Sequence, residues 1–224
     1  MATFPIVGVA SSAGDLAAVS ELLSALPAEC GAALIIVQHL DSGRERLLFE
    51  ALAKNTIPVM HAHDGAVVEQ EHVYVIAANT TLTITGGRMR LISDTSRSHC
   101  PGDILFTSLA KAHGYSAVGV VLSGEGSDGA LGIQALKQAG GLTFAQYPGS
   151  ARFPGMPISA IETGCVEFVL RPNEIARELA QLSRHAALPA GIAPCALVIA
   201  DYAALSRGRV MAPGPSGREL RPGR

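Results

Sequence analysis

The stretch from Phe4 to Val19 constrains the fold of this chain more than any other. It leads from an apolar segment through the small residues around Ser12 into a segment whose apolar residues have helical spacing, and this order predicts a β-strand, a turn and an α-helix. The next apolar run, Ala32 to Val37, is almost uninterrupted, which is typical of a strand buried on both faces of a parallel sheet. Together the three segments predict a βαβ unit and therefore an α/β fold.

The same alternation of strands and helices continues along the chain. Helices are predicted over Leu16–Leu26, Arg44–Lys54, Pro101–Gly114, Ala130–Ala139, Ile158–Thr163 and Pro172–Leu188, and strands over Ala32–Val37, Ala117–Leu122, Leu142–Gln146 and Val166–Leu170. Between Val67 and Ile92 short alternating runs flank Gly86-Gly87, which indicates a β-hairpin. The predicted fold class is α/β, with a doubly wound, mostly parallel sheet and an antiparallel β-hairpin insertion at one edge.

Length and local composition predict one folded domain and a tail. The 224 residues fit one sizeable α/β domain, which we place at residues 1–188. The remainder, 189–224, is interpreted as a C-terminal extension. From Met211 onward it is rich in Gly, Pro and Arg, and such a composition buries too little apolar surface to fold. We therefore expect the extension to be partly disordered.

Composition argues against several classes of protein. No apolar run approaches the roughly 18 residues that indicate a membrane span, so none is predicted. The formal net charge is −2 without a long basic run, which argues against nucleic-acid binding. The four cysteines lie far apart without a Cys-x-x-Cys pair, which favours reduced thiols and a cytoplasmic location. Cys100 follows His99, but adjacent residues on an extended strand point to opposite faces; neither a metal nor a cofactor is expected.

Three polar residues follow the predicted buried strands. Ser12 comes after the first, His39 after the second, and Asp128 lies in the Gly-rich loop after Ala117–Leu122. If these strands are neighbours, their carboxyl ends share one edge of the sheet, and a hydroxyl, an imidazole and a carboxylate there are the parts of a hydrolytic triad. Each residue alone has a simpler explanation: a serine at a helix start is commonly an N-cap, and Asp-Gly is commonly a turn.

Several sequence blocks in order resemble the catalytic domain of the CheB family, the chemotaxis protein-glutamate methylesterases. The resemblance covers roughly residues 4 to 182, and its blocks are Phe4-Pro5-Ile6-Val7-Gly8, Ser12-Ala13-Gly14, Val37-Gln38-His39-Leu40, Asp64-Gly65, His72-Val73-Tyr74-Val75-Ile76, Gly119-Val120-Val121-Leu122-Ser123-Gly124, Gly126-Ser127-Asp128-Gly129 and Gly155-Met156-Pro157. It implies hydrolysis of glutamate methyl esters on receptors, with deamidation of receptor glutamines as a related activity. Residues 1–188 would then be the methylesterase catalytic domain.

The resemblance also assigns roles to individual residues. Ser12 matches the nucleophile, although Ser11 is an alternative register, while His39 matches the general base and Asp128 the carboxylate that orients it. The remaining matched positions are the oxyanion donors, which are the backbone N–H groups of Ala13 and Glu125, and the substrate-binding or loop positions Gly126, Gly129 and Met156. The implied partner is a methylated chemoreceptor or other receptor-like protein. A separate response-regulator or methyltransferase subunit is a further implied partner, because no part of this chain matches the family's receiver domain.

Three positions depart from the family pattern. Ala10 and Asp15 stand where the family usually has glycine, and Ile158 stands where it usually has arginine. If the backbone at Asp15 needs a positive φ, an aspartate there carries a modest cost. A carboxylate at this place also disfavours an anionic intermediate. These departures leave open a catalytically impaired CheB-like binding or regulatory module.

A nucleotide-binding oxidoreductase is the weaker alternative. The segment from Gly8 to Gly14 has a faint likeness to a Gly-rich dinucleotide turn. However, the Gly-x-Gly-x-x-Gly spacing is missing, and the second strand ends in His39 instead of the acidic residue that binds a ribose.

Overall fold

The structure is a computed structural model that describes residues 4–12, 15–39, 45–53, 55–77, 79–93 and 100–186. The strands are β1 (Ile6–Ser12), β2 (Ala33–His39), β3 (Val59–His61), β4 (Val73–Val75), β5 (Thr80–Thr85), β6 (Arg88–Ser93), β7 (Ala117–Val121), β8 (Leu142–Gln146) and β9 (Phe168–Leu170). The helices are α1 (Leu16–Ser24), α2 (Glu45–Leu52), α3 (Pro101–His113), α4 (Ala130–Gln138), α5 (Gly155–Glu162) and α6 (Pro172–Ala186). Every predicted helix and strand is present, with differences at the ends. For example, α5 begins at Gly155 and not at Ile158, because Pro157 is tolerated in the first turn of a helix.

Seven strands form one parallel sheet in the order β3-β4-β2-β1-β7-β8-β9. β1 lies in the middle, between β2 and β7. The chain leaves β1 towards β2 on one side and returns to β7 on the other, so the strand order reverses beside β1. In doubly wound folds this switch point is where ligands bind, at the carboxyl ends of the strands. The predicted doubly wound, mostly parallel sheet is confirmed.

Helices cover both faces of the sheet, which explains the continuous apolar runs of β1, β2 and β7. On one face α1 and α6 pack against residues such as Val7 and Val9. On the other face α3, α4 and α5 pack against residues that include Ala10. Residues of β1 alternate between these two buried layers, so the strand has no polar face.

The predicted antiparallel hairpin is confirmed, but it lies on helix α3 and not at the predicted place on an edge of the main sheet. Strands β5 and β6 form their own antiparallel sheet; within the described ranges no ladder joins them to the main sheet. The hairpin packs on α3, where Leu82, Ile84 and Met89 are buried and the N–H of Ile84 donates to Ser108 Oγ at 3.0 Å. The alternating apolar residues of β5 need an apolar surface, and α3 provides it.

Glycines allow α3 to approach the sheet closely. A Cβ at Gly8 in the middle of β1 would lie 2.8 Å from a ring carbon of Phe106, which is closer than real Cβ contacts. Because glycine has no Cβ, α3 can lie directly over β1, and the N-terminus of α3 reaches the carboxyl edge of the sheet. This placement brings α3 into the candidate site.

The C-terminal extension, residues 189–224, lies outside the described residues, as do residues 187 and 188. Among the helices that the structure describes, none combines the length and the hydropathy that crossing a bilayer requires.

Candidate active site

Ser12 and His39 end two neighbouring strands at the switch point. They are the last residues of β1 and β2, and the parallel register pairs them directly. The third strand, β7, pairs with β1 on its other side and ends at Val121, from which the chain continues into the loop that carries Asp128. The expectation that these strands are neighbours is therefore confirmed. The side chain of His39 lies outside the described part of the chain.

Ser11 and Ser12 occupy different environments. Ser11 is buried, and its Oγ accepts a hydrogen bond from Gln38 Nε2 at 2.7 Å. Ser12 is partly exposed because it is the last residue of β1, at the carboxyl edge of the sheet, whereas the preceding strand residues are buried on both faces. Its N–H donates to the Ser123 carbonyl oxygen at 3.1 Å. Of the two registers that the sequence allowed, this geometry favours Ser12 as the residue available to a substrate.

Asp15, and not Ser12, caps helix α1. The Asp15 carboxylate accepts a hydrogen bond from the Ala17 N–H at 3.1 Å, and Asp15 has the N-cap position with φ −140°. The simple explanation of Ser12 as a helix cap is therefore wrong. A positive φ at Asp15 is likewise not needed, because an N-cap residue adopts extended backbone angles. Its carboxylate is buried in this cap and satisfies one of the free N–H groups of the helix start.

Asp128 is held by the N-terminus of α3. The residue is only 8% exposed, and its two carboxylate oxygens accept hydrogen bonds from the N–H groups of Gly102, at 2.9 Å, and Asp103, at 3.0 Å. A Cβ at Gly102 would lie 3.0 Å from Asp128 Oδ2 and 2.8 Å from the Cβ of Ala10. The sequence patterns did not predict that the first turn of α3 donates hydrogen bonds to Asp128. The Pro101-Gly102 pair at the helix start is the only signal for it.

The loop after β7 lies against Ser12. A Cβ at Gly124 would lie 2.9 Å from the Cβ of Ser12 and would overlap Met156 Sδ. The Gly124 N–H and carbonyl groups bond to Phe153 and Met156. Next to it, the Glu125 N–H makes no hydrogen bond within the residues described, as an oxyanion donor requires before substrate binds. The other predicted donor, Ala13, lies outside the described residues.

The predicted loop positions have distinct structural tasks. Gly126 (φ +83°) and Gly129 (φ +93°) both adopt backbone angles that favour glycine, and Gly129 is the N-cap of α4. Met156 is completely buried, and its N–H donates to the Gly124 carbonyl oxygen at 2.8 Å. Its burial favours support of the loop over direct contact with substrate. Ile158, in the same helix, is 40% exposed.

Asp103 was not identified from the sequence, yet it lies beside Asp128. One side-chain atom each of Cys100, Asp103 and Asp128 lie within 4.8 Å of one another. Burial raises the pKa of Asp103, and the charge of Asp128 raises it further, while N–H groups at the start of α4 lower it. Burial and the two carboxylates also raise the pKa of the Cys100 thiol.

These three groups are of the kind that bind metals, but their surroundings oppose a cation. Both oxygens of Asp128 already accept backbone N–H groups of α3, and Asp103 Oδ1 accepts the Gly132 N–H of α4. Helix N-termini carry partial positive charge and favour anions. We therefore assign no metal to this cluster.

Fold and site together define a doubly wound α/β protein with a serine and a histidine paired at its switch point and a buried aspartate in the loop after the neighbouring strand β7. A family model described as CheB methylesterase matches residues 7–179. The chain is 36% identical over 159 residues to protein-glutamate methylesterase/protein-glutamine glutaminase 3 of Myxococcus xanthus, covering 70% of this chain and 45% of that protein. It is 35% identical over 189 residues to a protein-glutamate methylesterase/protein-glutamine glutaminase of Halobacterium salinarum, covering 81% and 54%.

The crystal structure of the Thermotoga maritima CheB methylesterase catalytic domain superposes with a TM-score of 0.73 at 27% identity, covering 80% of this chain and 98% of that one. The chain belongs to the CheB methylesterase family. It spans about half the length of the curated relatives it matches. Membership in this family argues against the nucleotide-binding oxidoreductase alternative.

Proposed function

We propose that this chain hydrolyses glutamate methyl esters on a chemoreceptor or similar receptor protein, with Ser12, His39 and Asp128 as its triad. The observation that carries the proposal is the register pair of Ser12 and His39 at the switch point. The buried Asp128 carboxylate, which α3 fixes in the loop after the next strand, supports it. The names of the relatives, which combine methylesterase and glutaminase, support the same chemistry.

In the proposed reaction Ser12 Oγ attacks the ester carbonyl carbon while His39 accepts the hydroxyl proton. The tetrahedral intermediate collapses, and methoxide leaves with that proton as methanol. Water then attacks the acyl-serine ester; His39 accepts its proton and returns it to Ser12 Oγ, which leaves the free glutamate. Asp128 stabilises the imidazolium formed in both steps and holds the histidine in one tautomer.

The oxyanion of each tetrahedral intermediate needs fixed donors. We assign this role to the N–H groups of Glu125 and Ala13. The Glu125 N–H makes no hydrogen bond within the part of the chain that is described. The preceding residue of its loop, Gly124, packs closely against both Ser12 and Met156. Preorganised N–H donors of this kind contribute about 10²–10³-fold each to turnover.

Replacement of the nucleophile tests the proposal. Ser12→Ala should lower methanol release from a methylated receptor by about 10³-fold or more, down to the level that binding and the oxyanion donors alone provide. Ser11→Ala is the matched control on the adjacent residue. It removes the acceptor of the Gln38 amide, so it should cost about 1–3 kcal/mol of stability and leave kcat of the folded enzyme unchanged. Turnover by Ser12→Ala at the wild-type rate would contradict the assignment.

Glutamine deamidation is proposed as a related activity of the same site, with ammonia leaving in place of methanol. The Ser12→Ala variant should lose both activities in parallel. A wild-type protein that releases neither methanol nor ammonia would instead favour the catalytically impaired binding module.

The proposal extends to the partner and the location of the protein. A receptor-like substrate is proposed from the resemblance to the chemotaxis methylesterases, and a separate response regulator or methyltransferase subunit is a candidate regulator. A cytoplasmic location is consistent with Cys30, Cys100 and Cys165, which are all free thiols.

A further inference from the structure

Helices α3 and α4 both begin without a cap from their own N-cap residue. Cys100 precedes α3 and Gly129 precedes α4, and neither supplies a side-chain hydrogen bond to its helix. The first N–H groups of a helix have no partner within the helix and need one from elsewhere. In this protein the first N–H groups of each helix find their hydrogen-bond acceptor in an aspartate carboxylate from the start of the other helix or from the residue just before its N-cap.

The two caps are crossed. Asp128, which lies just before α4, accepts the N–H groups of Gly102 and Asp103 in the first turn of α3. Conversely, Asp103 in the first turn of α3 accepts the Gly132 N–H in the first turn of α4 at 2.8 Å. The backbone N–H of Asp103 thus donates to Asp128, while the side chain of Asp103 accepts from the first turn of α4, the helix that follows Asp128.

Close packing of the two helices makes this exchange geometrically feasible. A Cβ at Gly132 would lie 2.5 Å from the Cβ of Phe106 and 3.1 Å from the Cα of Asp103. Glycine at this position lets the first turn of α4 touch the first turn of α3, and the Asp103 carboxylate then reaches the α4 N–H groups.

Two like charges so close together would normally repel each other. Carboxylate oxygens of Asp103 and Asp128 lie within 4.8 Å, and Asp103 is partly buried while Asp128 is buried. The positive N-terminal ends of two helices offset this repulsion. Cys100 is the third member of this cluster. Asp103 also lines a groove between α3 and the β5–β6 hairpin, to which Lys111, Thr83 and Thr85 contribute further along.

We infer that Asp103 is a positioning residue for catalysis, which fixes the place and orientation of Asp128 through the crossed caps. This inference rests on the proposed function of Asp128. Without the Asp103 carboxylate, the Gly132 N–H of α4 loses its hydrogen bond to α3. Only the hydrogen bonds from α3 to Asp128 then connect the two helix starts. The Asp128 carboxylate then moves, and with it the group proposed to orient His39.

Two substitutions at Asp103 separate positioning from simple stabilisation. Asp103→Ala removes the acceptor of the Gly132 N–H and should lower kcat of the folded enzyme about 10- to 100-fold with KM nearly unchanged, against a ceiling of about 10⁴-fold for a misplaced triad carboxylate. Asp103→Asn keeps an oxygen acceptor in the same place and should retain kcat within about threefold of wild type.

A cap elsewhere provides the matched control. The Glu174 carboxylate accepts the Arg171 N–H at 2.8 Å at the start of α6, on the opposite face of the sheet. Glu174→Ala removes a cap of the same chemical kind and should lower stability without changing kcat. If Asp103→Ala lowers only stability, as Glu174→Ala does, Asp103 is structural and the inference is wrong.

Amide hydrogen exchange tests the inference without relying on activity. The Gly102 N–H is bonded to Asp128, so its exchange should be about tenfold faster or more in Asp103→Ala and unchanged in Glu174→Ala. An inactive wild-type protein would refute the proposed function alone, and this measurement would still decide whether Asp103 holds Asp128. Unchanged Gly102 exchange in Asp103→Ala would overturn the inference even in an active enzyme.

Discussion

A methyl group added at Gly102 should separate α3 from Asp128. In Gly102→Ala the new carbon would lie 2.8 Å from the Cβ of Ala10 and 3.0 Å from Asp128 Oδ2, whereas carbon contacts are normally about 3.5–4.0 Å. Overpacking of this kind costs about 1–3 kcal/mol. Losing the charge-assisted bond from the Gly102 N–H costs about 1.5–3 kcal/mol more, and the better helix propensity of alanine offsets about 1 kcal/mol. We expect the free energy of unfolding to fall by about 1.5–5 kcal/mol.

The catalytic effect should exceed what this loss of stability explains. Displacement of the Asp128 carboxylate should lower kcat of the folded fraction about 10- to 100-fold, measured as methanol release with the folded fraction determined by urea unfolding. Gly119→Ala is the control. Gly119 lies in the middle of β7, away from the carboxyl edge, and the added methyl group would overlap Leu136 of α4 in the same packed layer. It should destabilise the protein and leave kcat of the folded enzyme unchanged.

A second substitution sharpens the test. Ala10→Gly removes the closer of the two contacts that the methyl group added at Gly102 would make, so the double variant Ala10→Gly/Gly102→Ala should recover part of the lost stability, with a coupling of about 0.5–3 kcal/mol. Its kcat should stay low, because the contact with Asp128 Oδ2 remains. Wild-type kcat in Gly102→Ala would show that the hold of α3 on Asp128 is not needed for turnover, and would refute the reasoning.

Two further predictions concern stability. Asp15→Ala removes the cap of α1 and should lower the free energy of unfolding by about 0.5–2 kcal/mol with little effect on kcat; a loss of kcat as large as in Ser12→Ala would place Asp15 in the chemistry. Burial lowers the pKa of His113 from 6.5, so the folded protein binds fewer protons there than the unfolded chain, and stability should decrease as pH falls below 6.5. Because both ring nitrogens lack a partner among the described residues, His113→Leu should flatten this decrease between about pH 7 and pH 5, measured by urea unfolding; parallel stability profiles of the two proteins would contradict it.

Much of the fold could be predicted from local patterns. Apolar runs such as Ala32 to Val37 show that a strand is buried on both faces, and helical spacing between them shows where the chain crosses back. Since crossovers of this kind make strands parallel, their carboxyl ends meet at one edge. This reasoning already placed Ser12, His39 and the loop of Asp128 together, and the register of β1 with β2 confirms the first pair.

The sequence alone could not show which of two similar residues takes a given role, or which element covers a given apolar face. Ser11 and Ser12 differ only in which face of β1 they point to. Ser12 and Asp15 are both good capping residues, and only the backbone angles at Asp15 show which of them caps α1. Likewise, the alternation of β5 showed an apolar face without showing that α3 covers it. In each case the deciding partner is a residue that local periodicity does not specify.

The sequence by itself therefore determined the order of strands and helices and the edge of the sheet where function lies. Only the tertiary structure decided what surrounds Asp128. The meeting of α3 and α4 depends on contacts between segments about thirty residues apart, where Gly102 and Gly132 allow the two helix starts to touch. Hydrogen bonds across that contact join Asp128 to α3 and Asp103 to α4. The physical reason is that a helix end takes its partner from whatever packing brings near it, and packing is set by the whole fold rather than by the neighbouring sequence.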